Sequence, residues 1–188
     1  MKLTYLFCLL ATLSILPQVY AAEDEPQYRV YVFLSEECII SQSYALELRQ
    51  LHQEYGASQF EFVGVFSNPA SNPSKMAAFK EKYNFPFPFQ HDRRQEIMDR
   101  FSVEFTPEVV VLDVSTDAVL YQGRIDNTFY RVGRRRRVTT TSELTDVLAA
   151  LRSGQEVPIS STPTVGCIIT PAGDWIKNAP MCQPTPEQ

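Results

Sequence analysis

The side chains best able to do chemistry are four cysteines, at positions 8, 38, 167 and 182 of 188 residues. A thiol acts through its thiolate, which attacks disulfides and oxidised sulfur, so its reactivity follows its pKa. Cys38 has the most distinctive setting. It follows Phe33-Leu34-Ser35-Glu36-Glu37 and opens Ile39-Ile40-Ser41, where an apolar run gives way to a helix-like pattern. A cysteine at a helix start feels the positive end of the dipole and meets free backbone N–H groups, and both lower its pKa. Glu36 and Glu37 oppose this by like charge unless their carboxylates turn away. The competing reading is an inert cysteine buried at a helix start.

The compartment decides what the other cysteines can do. Lys2 precedes an apolar run from Leu3 to Leu16 that closes at Val19-Tyr20-Ala21-Ala22. Residues 1–22 therefore read as a signal peptide, cut after Ala21, with an uncleaved anchor as the alternative. The run is short for a membrane span, and Cys8 lies within it. The expected location is exported, periplasmic or extracellular, where disulfides persist. The mature chain then keeps Cys38, Cys167 and Cys182. Three is odd, so at most one internal pair forms at a time.

The elements that must position these thiols are legible from periodicity. Arg29 to Leu34 reads as a buried strand, and Tyr44, Leu48, Leu51 and Tyr55 form the apolar stripe of a helix from Ile39 to Tyr55, stopped by Gly56. Phe60 to Phe66 is the next strand and Ser74 to Tyr83 the next helix. Asn84 to Phe89 is a proline-interrupted connector, and a further helix spans Arg93 to Phe101. Strands Glu108 to Asp113 and Ala118 to Gly123 flank a polar turn at Val114-Ser115-Thr116-Asp117. A last helix runs from about Thr141 to Ser153, with Thr140 and Glu143 as a capping box. Residues 155–188 carry six of the thirteen prolines and read as a mostly irregular tail. Alternating strands and helices predict an α/β domain over residues 23–154, its central mixed β-sheet flanked by helices, with an insertion at 125–140 and a proline-rich C-terminal extension.

Two segments give that layout a family likeness. Phe33-Leu34-Ser35-Glu36-Glu37-Cys38-Ile39-Ile40-Ser41 and Phe105-Thr106-Pro107-Glu108-Val109-Val110-Val111-Leu112-Asp113 together resemble the thioredoxin-like, or redoxin, superfamily, which includes alkyl hydroperoxide reductases and thiol-specific antioxidants. The likeness runs from about Tyr28 to Leu151. Gly123-Arg124-Ile125-Asp126, the arginine run after Gly133, and Val165-Gly166-Cys167-Ile168-Ile169 look like a subgroup of exported bacterial redoxin-domain proteins. The resemblance implies a thioredoxin-like fold, Cys38 as nucleophile after the first core strand, and a cis Thr106-Pro107 bond facing the sulfur. It also implies that Thr106 and Pro107 present backbone groups to an extended peptide, while Ser35 and Ser41 polarise the surroundings of the thiol.

The chain departs from the two-cysteine redox motif at Ser41, three residues after Cys38. This monothiol arrangement needs a small thiol, a partner protein or a distant resolving cysteine. Cys167, set between Gly166 and two isoleucines in an apolar segment able to dock on the sheet, is the internal candidate, favoured by the family pattern. The alternative pairs Cys167 with Cys182 as a staple of the tail. The expected activity is thiol-disulfide exchange with protein or small thiols and disulfides. A second reading is a thiol peroxidase. Against it, the family's proline and threonine near the peroxidatic cysteine are Tyr31 and Ser35 here, and Pro107 stands near where its arginine would enter, with Arg124 of the neighbouring strand as the candidate replacement. A third is a non-catalytic binding module of the same fold.

The remaining features exclude more than they add. With 17 basic and 22 acidic residues the formal charge is -5, which gives no reason to expect a nucleic-acid partner. Arg134, Arg135, Arg136 and Arg137 stand out locally, as a solvated loop or as a docking point for an anionic or protein partner. His52 and His91 lack the spacing of a metal site, and no phosphate-binding loop or other cofactor motif is present. No metal or organic cofactor is expected.

Overall fold

The computed structural model describes residues 25–56 and 59–173; the expected leader and Cys182 lie outside them. The chain begins with β1 (Tyr28–Phe33), continues through α1 (Ile39–Ser43) and α2 (Ala45–Tyr55) to β2 (Phe60–Phe66), and then α3 (Pro73–Tyr83). Next come β3 (Phe89–His91), α4 (Glu96–Phe101), β4 (Phe105–Thr106), and the strand pair β5 (Glu108–Asp113) and β6 (Val119–Gly123). A small hairpin, β7 (Phe129–Arg131) and β8 (Arg134–Arg135), precedes α5 (Glu143–Arg152), and the tail contributes β9 (Cys167–Ile168).

The main sheet has the order β3-β2-β1-β5-β6. Strands β1, β2 and β3 are parallel, whereas β5 runs antiparallel to both β1 and β6. This mixed sheet, covered by helices on both faces, is the thioredoxin-like architecture. Period-two alternation divides β1 between two cores. Val30 and Val32 pack with Leu48, Phe62, Leu144 and Leu148 on one face, and Tyr31 and Phe33 with Met98, Phe101 and Val103 of the α4 region on the other. Cys38 belongs to the first face. Each fully buried Val, Leu or Phe side chain contributes about 1.5–3 kcal/mol, so the sheet is a rigid platform for the loops at its edge.

Several local expectations change. The helix from Ile39 to Tyr55 is bent at Tyr44, which separates α1 from α2 and sends its hydroxyl to the buried carboxylate of Asp126. The segment ending at Phe89 is more than a connector, because Phe89 to His91 pairs with Gly64 to Phe66. The expected capping box does not form. Thr140 is instead paired with the side chain of Asn127, Ser142 is the N-cap of α5, and the Glu143 carboxylate takes hydrogen bonds from Arg124 and Thr141.

The tail is tied to the domain at two points. Ser161 bridges Gln122 alongside β6, with Gln122 N donating to Ser160 O at 3.0 Å and Thr162 N to Gln122 O at 3.1 Å. That approach needs Gly123, where a Cβ would lie 2.2 Å from Thr162 Oγ1. The second point is β9, paired antiparallel with β4. Among the described residues no helix is long and apolar enough to cross a membrane.

Candidate functional site

Strand β1 ends in Leu34 and Ser35, and the chain then turns sharply: Cys38 N donates to Ser35 O at 3.2 Å, and Ser35 N to Ser41 Oγ at 3.4 Å. Cys38 is the N-cap of α1, with extended backbone and no side-chain cap bond. Its sulfur therefore stands at the first turn of the helix, where N–H groups lack intrahelical partners. The two glutamates turn away from it. Glu36 Oε2 accepts from Ser71 Oγ at 2.7 Å, and Glu37 Oε1 lies 3.2 Å from Lys75 Nζ.

From the other side comes the loop before β5. Thr106-Pro107 is a cis peptide bond, and the Thr106 carbonyl oxygen lies 3.2 Å from Cys38 Sγ. Thr106 is also the register partner of Cys167 across the β4–β9 ladder, with Phe105 opposite Ile168. The ladder brings Cys167 Sγ to 2.7 Å from Cys38 Sγ, both as free thiols. Cys38 is 1 % exposed, and the tail carrying Cys167 forms part of its cover.

What seats the tail so closely is a glycine. A Cβ on Gly166 would lie 2.3 Å from Thr106 O and 2.7 Å from Thr106 C, contacts no side chain tolerates. Beyond the cysteine, Ile169 N donates to Glu104 O at 2.9 Å and its side chain is buried in the second core. Gln95 then latches the strand. The residue is 4 % exposed; Nε2 donates to Ser67 O and Thr170 O at 2.8 Å, and Oε1 accepts from Ala172 N at 2.6 Å.

The two thiols have opposed acidities. Burial pushes the Cys38 pKa up, but hydrogen bonds from the Cys167 thiol, from the N–H and hydroxyl of Ser41 and from Ile40 N–H outweigh it, and the net shift is downward. Cys167 is pushed up to about 12 by burial, by its hydrogen bond to Cys38 and by the charge on that sulfur. The proton thus rests on Cys167 when one of the two is ionised. In its thiol form Cys38 donates to Thr106 O; as a thiolate it accepts from Cys167.

The structure brings Cys38, Ser41, Thr106, Pro107 and Cys167 together. Ser35 contributes through its backbone, to Cys38 and to the Ser41 hydroxyl. Arg124, considered as a cation for Cys38, is elsewhere engaged: its guanidinium pairs with Glu143, and no cation is among the groups acting on the Cys38 ionisation. Gln95 and the closeness of Gly166 to Thr106 were not foreseen. Only the glycine left a trace in the sequence, since Gly within a strand-like apolar run often marks close backbone approach. Among the described residues no group of three or more His, Cys, Asp or Glu side chains converges to hold a metal ion.

Solved structures carry the same fold. An uncharacterized conserved protein from Geobacillus kaustophilus is 26% identical, with TM-score 0.67 over 77% of this chain and 77% of that one. A hypothetical protein from Sinorhizobium meliloti 1021 is 21% identical, with TM-score 0.66 over 76% of this chain and 79% of that one. StoA from Bacillus subtilis is 12% identical, with TM-score 0.50 over 68% of this chain and 85% of that one. No match was found among curated proteins. The AhpC/TSA family matches residues 18–138, a span that holds Cys38 and the Thr106-Pro107 bond but ends before Cys167. By that match the chain belongs to the AhpC/TSA family.

Proposed function

We propose that this chain is an exported thiol-disulfide oxidoreductase in which Cys38 is the nucleophile and Cys167 the resolving thiol. The observation that carries the reading is the approach of the two sulfurs to 2.7 Å beside the Thr106 carbonyl, at the start of α1. The working domain covers residues 23–154, and residues 155–188 form the tail that supplies the second thiol.

The chemistry is two successive exchanges. The Cys38 thiolate attacks one sulfur of a substrate disulfide; a mixed disulfide forms and the other substrate sulfur leaves as a thiolate. Cys167 then attacks Cys38 Sγ. The second substrate sulfur departs and takes up the Cys167 proton, while Cys38 and Cys167 become a disulfide. The substrate gains two electrons and the pair loses two; run backwards, the same steps oxidise a dithiol. Pro107 and Thr106 shape the groove for a protein or small-molecule sulfur, and Ser41 stabilises the thiolate.

Thiol peroxidase chemistry has less support, because peroxide cleavage draws on a cation at the sulfur and Arg124 is held by Glu143. The test is a disulfide-exchange assay with paired variants. Cys38→Ser should abolish exchange, and Cys167→Ser should accumulate a mixed disulfide on Cys38. Unchanged turnover in Cys38→Ser refutes the reading.

A further inference from the structure

The β7–β8 hairpin is the most strongly charged part of the surface, and thiol chemistry makes no use of it. Residues 130–141 are exposed without interruption, and the turn at Gly133 has φ +72, a backbone setting that favours glycine. This stretch carries Arg131, Arg134, Arg135, Arg136 and Arg137. None of the five has an ion pair among the described residues. The chain's formal charge is -5, so with these five removed the remainder carries -10. The molecule is therefore strongly polarised, with one cationic projection on an acidic body.

Charge is half of the pattern. Tyr130 is 52% exposed, Val132 58% and Val138 71%. Three large apolar side chains thus stand in solvent within nine residues, interleaved with the arginines, and the Arg136 guanidinium lies 5.3 Å from the centre of the Tyr130 ring. A polyanion such as a nucleic acid or an acidic peptide would engage the guanidinium groups and leave the valines in water. A bilayer interface offers both phosphates and an apolar boundary at matching depth, and an aromatic ring suits the headgroup level. Val132, next to the turn glycine, is placed to lead.

We propose that this hairpin is a docking surface for an anionic phospholipid bilayer. The arginines take headgroup phosphates, while Val132, Val138 and Tyr130 enter the boundary beneath them. The acidic body turns away from the surface, which fixes one orientation. Each arginine near an anionic membrane contributes about fivefold to partitioning, and screening removes most of that at about 1 M salt, where the Debye length is about 3 Å.

The test is co-sedimentation of the purified chain with vesicles of phosphatidylcholine, alone or mixed with phosphatidylglycerol. Binding is expected only with phosphatidylglycerol and is lost at high salt. Replacing Arg134, Arg135, Arg136 and Arg137 together by Gln should weaken it more than a hundredfold. The double variant Val132→Ser, Val138→Ser should weaken it severalfold with all charges kept. Circular dichroism confirms that each variant is folded. Absent binding to the mixed vesicles at low salt, or equal binding to phosphatidylcholine alone, overturns the proposal. Binding indifferent to the valine substitutions marks a general polyanion contact and overturns the lipid assignment.

Discussion

Cys167 is the antiparallel register partner of Thr106, the residue whose carbonyl oxygen lies 3.2 Å from Cys38 Sγ. The tail thus occupies the strand edge beside the cis-proline loop, where an extended substrate would add by main-chain pairing. On the proposed function, the resolving thiol and the incoming substrate compete for one place. Cys38 is 1 % exposed, so on the proposed function β9 must lift before a substrate reaches it. Its chemistry is therefore coupled to how firmly the tail is seated, and each seating contact can be removed separately.

Gly166→Ala places a methyl group 2.3 Å from Thr106 O, a backbone atom that cannot move freely. Overpacking of this kind costs about 1–3 kcal/mol, or about five- to 150-fold in the equilibrium that brings Cys167 to Cys38. Titration of the variant against glutathione redox buffers should show the Cys38–Cys167 disulfide weakened by that factor.

Gln95→Ala removes the three hydrogen bonds that tie Ser67, Thr170 and Ala172 together. Backbone groups left unpaired there cost about 1–3 kcal/mol each when they stay buried. The tail should therefore open more often, and native-state alkylation of Cys38 should accelerate by about tenfold or more. Gln95→Glu keeps the shape but loses the two donated bonds, and should behave similarly. An unchanged alkylation rate in both variants contradicts the latch.

The pH profile of Cys38 separates hydrogen bonding from cover. Of the hydrogen bonds that lower its pKa, the largest effect comes from the Cys167 thiol. In Cys167→Ala the midpoint of the alkylation-rate profile should move upward from its wild-type position, even as the loss of the partner exposes the sulfur. The ionised fraction at neutral pH falls accordingly. A midpoint that stays or moves down contradicts the assigned proton arrangement.

Glu47 is pushed up to about 7, first by burial, then by the charge of Asp126 and a hydrogen bond to it. A carboxyl whose folded pKa exceeds its unfolded one holds more protons when folded, so stability falls as pH rises from about 4.5 to about 7. Glu47→Gln should remove a penalty on the order of 1 kcal/mol above that window, discounted for partial exposure. Thermal melts should show a gain of about 2–4 °C at pH 8 and little at pH 4.

Most of the scaffold was legible because it rests on long periodic runs. Arg29 to Leu34, Phe60 to Phe66 and Glu108 to Asp113 are rich in β-branched and aromatic residues, and their burial on both faces follows from pairing at the sheet centre. The short pieces were not legible. Strands β4, β7, β8 and β9 have two or three residues each, too few for any alternation to register. The partner of the Tyr44 hydroxyl is Asp126, a residue 82 positions away, and the engagement of Arg124 depends on Glu143 across a loop. At the site, Cys38, Thr106 and Pro107 could be named from their segments. Gln95 could not, since an amide that binds three backbone groups leaves no pattern in its neighbours.

The role of Cys167 depends on which thiols join. The direct measurement is peptide mapping by mass spectrometry of the mature protein, purified without reductant from an oxidising compartment and alkylated before digestion. A Cys38–Cys167 disulfide is expected, with Cys182 recovered as the alkylated thiol. A Cys167–Cys182 disulfide with Cys38 free would contradict it and leave the tail as a structural staple.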